Sequence, residues 1–147
     1  MIRDRLARQS IEGAGTFQLG SNQLTVGSNN LSTTVSGVIA DTGGGSLVKT
    51  GTGILTLSGT NTYTGTTTVN AGVLIVNGSI ARSSLTTVNS GAVLLGSGTV
   101  GSTVVNAGGV LVPGNSPGTM TVAGNLALQS GAFYSCRSIP RQPRPPM

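Results

Sequence analysis

The sequence predicts an all-β protein, a right-handed parallel β-helix (a β-solenoid) of about six coils that ends in a disordered C-terminal tail. Charged residues make up only 7% and aromatic residues only 3% of the 147 residues. The 24 glycines, together with many Thr, Ser and Asn, suit short strands joined by tight turns. A phrase that returns at nearly regular intervals completes the evidence, because such periodicity is typical of stacked repeat units.

The repeated phrase ends in Asn-x-Gly and is followed each time by a short apolar segment. Its copies are TTVNAG (67–72), TTVNSG (86–91) and TVVNAG (103–108), followed by VLIV (73–76), AVLL (92–95) and VLV (110–112). Weaker echoes at 24–31, 54–59 and 119–128 extend the pattern over about 16–134. A unit of 17 to 19 residues is too short for a helical-hairpin repeat but suits one coil of a solenoid.

The Asn-x-Gly corner predicts the structural site of the chain. In stacked coils Asn70, Asn89 and Asn106 would lie above one another as a ladder of amide side chains, each bonded to the next. The turn glycines of the same corners, which can adopt positive φ without steric cost, are Gly72, Gly91 and Gly108. The alternative is that the three phrases are hairpin loops of an antiparallel meander or sandwich. That alternative explains each turn singly but not its regular return.

The pattern divides the chain into three expected segments. These are an N-terminal extension or cap at 1–12, the β-helix repeat domain at 13–134, and a disordered, basic, Pro-rich tail at 135–147. The first segment has charges but no apolar stretch of a secretory signal peptide, so we expect any export signal to lie upstream. The abrupt change to Arg and Pro after Tyr134 indicates a truncated gene or a shifted reading frame. A Pro-rich partner motif through Pro140 and Pro143 is the alternative.

The charge distribution argues against a nucleic-acid partner. The net charge is +5, but between residues 13 and 135 the charged residues are only Asp41, Lys49 and Arg82. A nucleic-acid surface needs clustered Lys and Arg on the folded part of the protein. The sequence has no histidine, and Cys136 is its one cysteine. We therefore expect no internal disulfide, no metal and no cofactor.

Catalysis is not expected either, because the residues that could perform it are few and scattered. Asp4, Glu12 and Asp41 are far apart in sequence, whereas paired-carboxylate catalysis needs two acids within about 10 Å. A Ser-His-acid triad requires the missing histidine. The glycines at 43–45 are followed by no Gly-Lys-Ser/Thr phrase and no predicted helix, so they indicate a loop rather than a phosphate site.

One feature suggests a binding face. Threonines alternate along one stretch, so their hydroxyls would share one side of an extended strand, as in β-solenoids that bind ice or flat glycans; they are Thr60, Thr62, Thr64, Thr66 and Thr68. A solvated strand face with good β-propensity is the favoured interpretation, because the other coils do not repeat this alternation.

Residues 51–78, GTGILTLSGTNTYTGTTTVNAGVLIVNG, resemble the passenger-associated (autotransporter-associated) β-strand repeat. The positions that carry the resemblance are Leu55, Leu57, Gly59, Asn61, Tyr63, Gly65, Thr67, Val69, Ala71, Gly72 and Leu74. A second stretch at 110–134, VLVPGNSPGTMTVAGNLALQSGAFY, resembles the last part of a passenger before the translocator domain. Together the two stretches cover over a third of the chain.

The resemblance implies a type V secretion substrate in which the repeat is a non-catalytic structural stem that supports export and surface display. It implies a location at the cell surface or outside the cell, with the full-length protein associated with the outer membrane. The implied partner is the translocator β-barrel of the full-length protein, which this chain does not contain. The alternative is a surface adhesin or a glycan-binding β-solenoid module, with a host surface or a glycan as its ligand. Self-association through the open coil ends is also expected, because they carry unpaired backbone groups.

Overall fold

The computed structural model describes residues 6–7, 11–114 and 119–135. In these ranges the chain forms short strands and turns, and no helix. The strands are β1 (Leu6–Ala7), β2 (Thr16–Gln18), β3 (Gln23–Val26), β4 (Thr33–Val35), β5 (Val38–Ala40), β6 (Ser46–Lys49), β7 (Ile54–Leu57), β8 (Thr67–Val69), β9 (Val73–Val76), β10 (Ser79–Ile80), β11 (Thr86–Val88), β12 (Val93–Gly96), β13 (Thr99–Val100), β14 (Thr103–Val105), β15 (Val110–Pro113), β16 (Thr121–Val122), β17 (Leu126–Leu128) and β18 (Phe133–Tyr134). The all-β prediction is confirmed.

The strands form long parallel sheets, and neighbours in a sheet come from successive coils. The first sheet has the order β1-β3-β6-β8-β11-β14-β17, and the second has the order β4-β7-β9-β12-β15-β18. A third sheet, β10-β13-β16, and the pair β2-β5 complete the coils. All strand pairings are parallel within the described ranges, where the one antiparallel contact is an isolated bridge between Gly96 and Gly114. The chain is therefore a β-solenoid of about six coils, and the antiparallel meander is wrong.

Alternation along each strand produces the core. In β9 the side chains of Leu74 and Val76 are buried, whereas Val73 and Ile75 are part-exposed. The same alternation repeats in register one coil later, so equivalent side chains stack in columns inside the solenoid. One such column consists of Leu55, Leu74, Leu94 and Leu111. The core is therefore a rod of stacked aliphatic side chains along the solenoid axis.

The two ends of the solenoid differ from its middle. At the start, β1 pairs with β3, so the first sheet reaches into the segment expected to be an extension or cap, and Ile11 is buried. At the other end, the last coil exposes Leu126, Leu128, Phe133 and Tyr134 because no later coil covers it among the described residues. Residues 136–147, where a disordered tail is expected, lie outside the described residues.

Candidate functional site

The three predicted asparagines lie at one corner of the solenoid, directly after β8, β11 and β14. Because Val69, Val88 and Val105 pair in register, the residues that follow them are brought together. Nδ2 of Asn89 donates to Oδ1 of Asn70 at 2.7 Å, and Nδ2 of Asn106 donates to Oδ1 of Asn89 at 2.8 Å. We call these three residues the asparagine ladder. It runs parallel to the axis and joins three successive coils.

The turn glycines follow the asparagine ladder, and all three have positive φ: 68° at Gly72, 83° at Gly91 and 83° at Gly108. Their surroundings differ. A Cβ at Gly72 would collide with the carbonyl oxygens of Gly51 and Gly53 in the preceding coil, whereas a Cβ at Gly91 would meet no atom within 4 Å. Gly72 is therefore required by both backbone conformation and close packing, and Gly91 by conformation alone.

Asn61 forms a second link between coils, and its position in the core was not predicted. Its side chain is only 2% exposed. Oδ1 accepts a hydrogen bond from the backbone N–H of Ile39 at 2.8 Å, and Nδ2 donates to the carbonyls of Gly59 at 3.2 Å and Ser79 at 3.1 Å. Asn61 thus forms hydrogen bonds with backbone groups in the coils before and after its own. The free-energy cost of burying the amide is low because both of its polar atoms are hydrogen-bonded.

A buried hydroxyl network surrounds Tyr63. The phenol oxygen lies 2.6 Å from Oγ1 of Thr67, which lies 2.8 Å from Oγ of Ser83, and that hydroxyl donates to the carbonyl of Gly65 at 2.8 Å. Burial raises the pKa of Tyr63 far above its ordinary value, although the hydrogen bond with Thr67 acts in the opposite direction. The phenol therefore stays protonated and acts as a structural hydrogen-bonding group.

Lys49 occupies an inward position that aliphatic side chains fill in the neighbouring coils. It pairs in register with Val26 before it and Val69 after it, and it is 1% exposed. Its Nζ donates to the carbonyls of Thr50 at 2.6 Å and Gly51 at 3.3 Å. Burial lowers the pKa of the Lys49 ammonium, and the hydrogen-bond partners of Nζ among the described residues are neutral carbonyls rather than a carboxylate.

Asp41 links two coils at the glycine-rich loop. Its Oδ2 accepts hydrogen bonds from the backbone N–H of Gly45 at 2.8 Å and from both the N–H and the hydroxyl of Thr64 at 2.7 Å. Burial raises the pKa of Asp41, but these hydrogen bonds outweigh it, so the pKa is lowered. The carboxylate is used to hold the backbone, which is a structural role. Within the described ranges no group of three or more His, Cys, Asp or Glu is placed to hold a metal ion.

The alternating threonines do not lie along one strand. Residues 61–66 lie outside the strands, Thr60 forms an isolated bridge to Ser79, and Thr68 lies in β8. Oγ1 of Thr64 donates to Asp41 and accepts from the N–H of Gly44 at 3.0 Å. The five hydroxyls therefore do not form the single flat array that binding of ice or a flat glycan by stacked threonines would need.

The architecture defines the class of the protein: a parallel β-solenoid whose coils are joined by polar side chains at the corners and by aliphatic columns inside. Residues 47–76, from β6 through β9, match the model of the passenger-associated-transport-repeat. The match overlaps the residues that carry the resemblance and confirms it, so the chain contains an autotransporter passenger repeat. The resemblance of residues 110–134 stays a prediction.

No curated protein and no solved structure matches the chain. The matched repeat contains Asn61, Thr64, Thr67 and Asn70, whose side chains form hydrogen bonds to neighbouring coils. A β-solenoid with this repeat fits an autotransporter passenger and is a structural passenger fold, and the repeat family suggests a secreted or cell-surface protein. The described part of the chain includes no helix of the length and apolar character that crossing a membrane requires.

Proposed function

We propose that this chain is the non-catalytic structural stem of an autotransporter passenger, which supports export and surface display. The observation that carries the proposal is that the passenger repeat lies inside an unbroken stack of coils. The first sheet continues from β1 to β17, on both sides of residues 47–76. A uniform rod of this kind suits the task of holding another region at a distance from the membrane, because each coil adds about 4.8 Å of length.

The contacts between coils support a role in export. Each coil offers the next one a row of backbone hydrogen-bonding groups and an aliphatic column, and three successive coils are also joined by the asparagine ladder. A repeat that contacts only its neighbours gains stability as coils are added, so folding can propagate along the chain as it emerges. A single cysteine, Cys136, means that the coils need no internal disulfide to fold.

In this proposal the chain acts together with a translocator domain of the full-length protein, and the stem remains associated with the outer membrane on the outside of the cell. The distribution of polarity supports a solvent-exposed rod at its corners: Asn70 is exposed, and Asn89 and Asn106 are part-exposed. The few charges in the described coils leave little barrier to passage of the unfolded chain through a narrow pore.

The test places the full chain between an epitope tag and an autotransporter translocator domain, behind a signal peptide, in a Gram-negative host. Surface display is measured by antibody binding to intact cells and by accessibility of the tag to protease. We expect strong display with the natural sequence. Asn61→Ala removes a buried link between coils and is expected to reduce display several-fold, since a leftover buried donor and acceptor cost about 1–3 kcal/mol each.

Asn29→Ala is the matched control. Oδ1 of Asn29 accepts a local hydrogen bond from the N–H of Leu31, two residues away, and among the described residues its side chain forms no hydrogen bond to another coil. Display of this variant is expected to equal that of the natural sequence. If a flexible Gly/Ser linker of the same length displays the tag as efficiently as the natural chain, the stem role is refuted.

A further inference from the structure

The outer surface of the second sheet is apolar over most of its height. Side chains of β7, β9, β12, β15 and β18 alternate between inward and outward positions. The apolar outward residues, which together we call the outer face, are Ile54, Val73, Ile75, Val93, Leu95, Val110, Val112 and Phe133. Ile54 is 37% and Phe133 61% exposed, and the six residues between them are part-exposed. Solvated sheet faces ordinarily carry polar residues at such positions.

The first sheet of the same solenoid provides an internal comparison. From β3 to β17 its central outward column is half polar (Thr25, Thr68 and Thr87) and half apolar (Val48, Val104 and Ala127). Its inward positions also include polar residues, namely Lys49, Thr67, Thr86 and Thr103. The outward positions at the start of β3 and β6 are Gln23 and Ser46. The solenoid architecture therefore does not demand aliphatic residues on its outside. A continuous run of apolar outward residues is found on the second sheet and not on the first, which marks the outer face as an interaction surface.

The shape and charge of the outer face favour a partner with the same properties. No charged residue lies in β7, β9, β12, β15 or β18. Pairing in register makes the face a flat array of aliphatic columns, so a two-fold rotation places one array against an identical one without opposing like charges. Two sheets pack face to face at about 10 Å with their side chains interdigitated.

We propose that the outer face is the docking surface for a second copy of this chain, which packs sheet against sheet. Five strands spaced by about 4.8 Å, each about four residues of 3.3 Å long, give a projected area of about 300 Å² per copy. With side-chain relief the pair buries roughly 600–800 Å² in total, below the 1,200 Å² or more of a stable dimer. The association is therefore weak and reversible, and it becomes populated where copies are crowded, as at high concentration or when tethered side by side.

The experiment is sedimentation equilibrium of the full chain from about 10 µM to about 1 mM, with a reductant so that Cys136 forms no intermolecular disulfide. We expect the average mass to rise from 14.5 kDa towards twice that value. The double variant Ile75→Lys/Val93→Lys is expected to remain monomeric. The matched control Thr68→Lys/Thr87→Lys adds the same charge to the first sheet and is expected to dimerise as the natural chain does.

A second double variant, Ile75→Thr/Val93→Thr, keeps β-branched side chains at both positions. It is included because lysine at these positions could disturb folding. It is expected to raise the dimer dissociation constant at least ten-fold while the circular dichroism spectrum is unchanged. A natural chain that stays monomeric throughout the range would overturn the proposal. The proposal would also be overturned if both outer-face variants still associate, or if the lysine pair on the outer face and the lysine pair on the first sheet weaken association equally. Association abolished by Leu128→Lys but not by the outer-face variants would instead assign it to the open coil end.

Discussion

Replacing Lys49 by methionine is expected to stabilise the solenoid. The side chain of Lys49 is 1% exposed, in a column that continues as Val26 and Val69 on either side. An ammonium in that environment has lost most of its hydration and recovers only two hydrogen bonds, to the carbonyls of Thr50 and Gly51. Methionine has a similar length and no charge, and it adapts to irregular space in a core.

The size of the effect follows from two opposing contributions. Replacement of buried ionic groups by apolar side chains of similar volume stabilises proteins by about 1–4 kcal/mol. Against this, the carbonyls of Thr50 and Gly51 lose a donor, but both residues are part-exposed, so water can replace it at a cost below about 1 kcal/mol each. We expect a net gain of about 1–2 kcal/mol in the free energy of unfolding.

The pH dependence separates this explanation from simple repacking. Burial lowers the pKa of Lys49 in the folded state below its ordinary value of 10.5. Between the folded pKa and 10.5 the unfolded chain binds more protons, so the stability of the natural chain rises with pH through that range. Below the folded-state pKa, Lys49 is protonated in both the folded and the unfolded chain, so the full cost of burying the charge remains. The advantage of Lys49→Met should therefore shrink as pH approaches 10.

The assay is urea unfolding followed by circular dichroism, from about pH 7 to about pH 9.5. The range stops below 10 because the raised pKa of Tyr63 means that its ionisation in the unfolded chain lowers stability at higher pH. Arg82→Met, which removes an exposed cation, is the control and should change stability by less than about 0.5 kcal/mol. A lower urea midpoint for Lys49→Met than for the natural chain at pH 7 would refute the reasoning.

Three further predictions concern the links between coils, each measured as the change in urea midpoint. Asn89→Ala removes both hydrogen bonds of the asparagine ladder and should lower the free energy of unfolding by about 1–2 kcal/mol. Asn70→Ala removes one of the two bonds and should cost about half as much, so equal costs would contradict the ladder. Tyr63→Phe should cost about 1–2 kcal/mol, because it leaves a buried hydroxyl network incomplete, and an unchanged midpoint would show that the phenol hydrogen bond contributes nothing. Gly91→Ala should cost about 1–2 kcal/mol because of the positive φ alone. Gly72→Ala should cost distinctly more, because its Cβ would also collide with backbone atoms, and a larger cost for Gly91→Ala than for Gly72→Ala would contradict the packing described.

The asparagine corner could be predicted from sequence because its chemistry is local and repeated. Asn followed two residues later by Gly is a turn signal in any single coil, and its return after 19 and 17 residues indicates stacking. Parallel pairing then follows, since coils that stack place identical strands side by side. The number of coils and the all-β class could be inferred from the same periodicity.

The positions of Lys49, Asn61 and Tyr63 could not be predicted, because their roles depend on contacts made through the stack. The partners of Asn61 lie 22 residues before it and 18 residues after it, and they are backbone groups that leave no trace in sequence. Lys49 precedes a corner without the Asn-x-Gly phrase, so its equivalence to Val69 is visible only once the register is known. A charged residue at such a position is ordinarily expected at the surface.

The variation in coil length explains why the corner, rather than the whole coil, carries the repeat. The length of the corner can be counted from the last inward residue of the first sheet to the first outward residue of the second sheet. In the last four coils this distance is four or five residues: Val69 to Val73, Val88 to Val93, Val105 to Val110 and Leu128 to Phe133. The return from the second sheet to the first is far more variable, spanning Val76 to Thr86, Gly96 to Thr103 and Pro113 to Leu126. The return path contains the short third sheet and loops, where an added residue can bulge into solvent. Within the Asn-x-Gly phrase an added residue would displace an asparagine from the ladder or a glycine from its left-handed conformation, and the one-residue difference between the corners falls after the glycine. The corner therefore sets the register of the stack, and the return path absorbs the differences between coils.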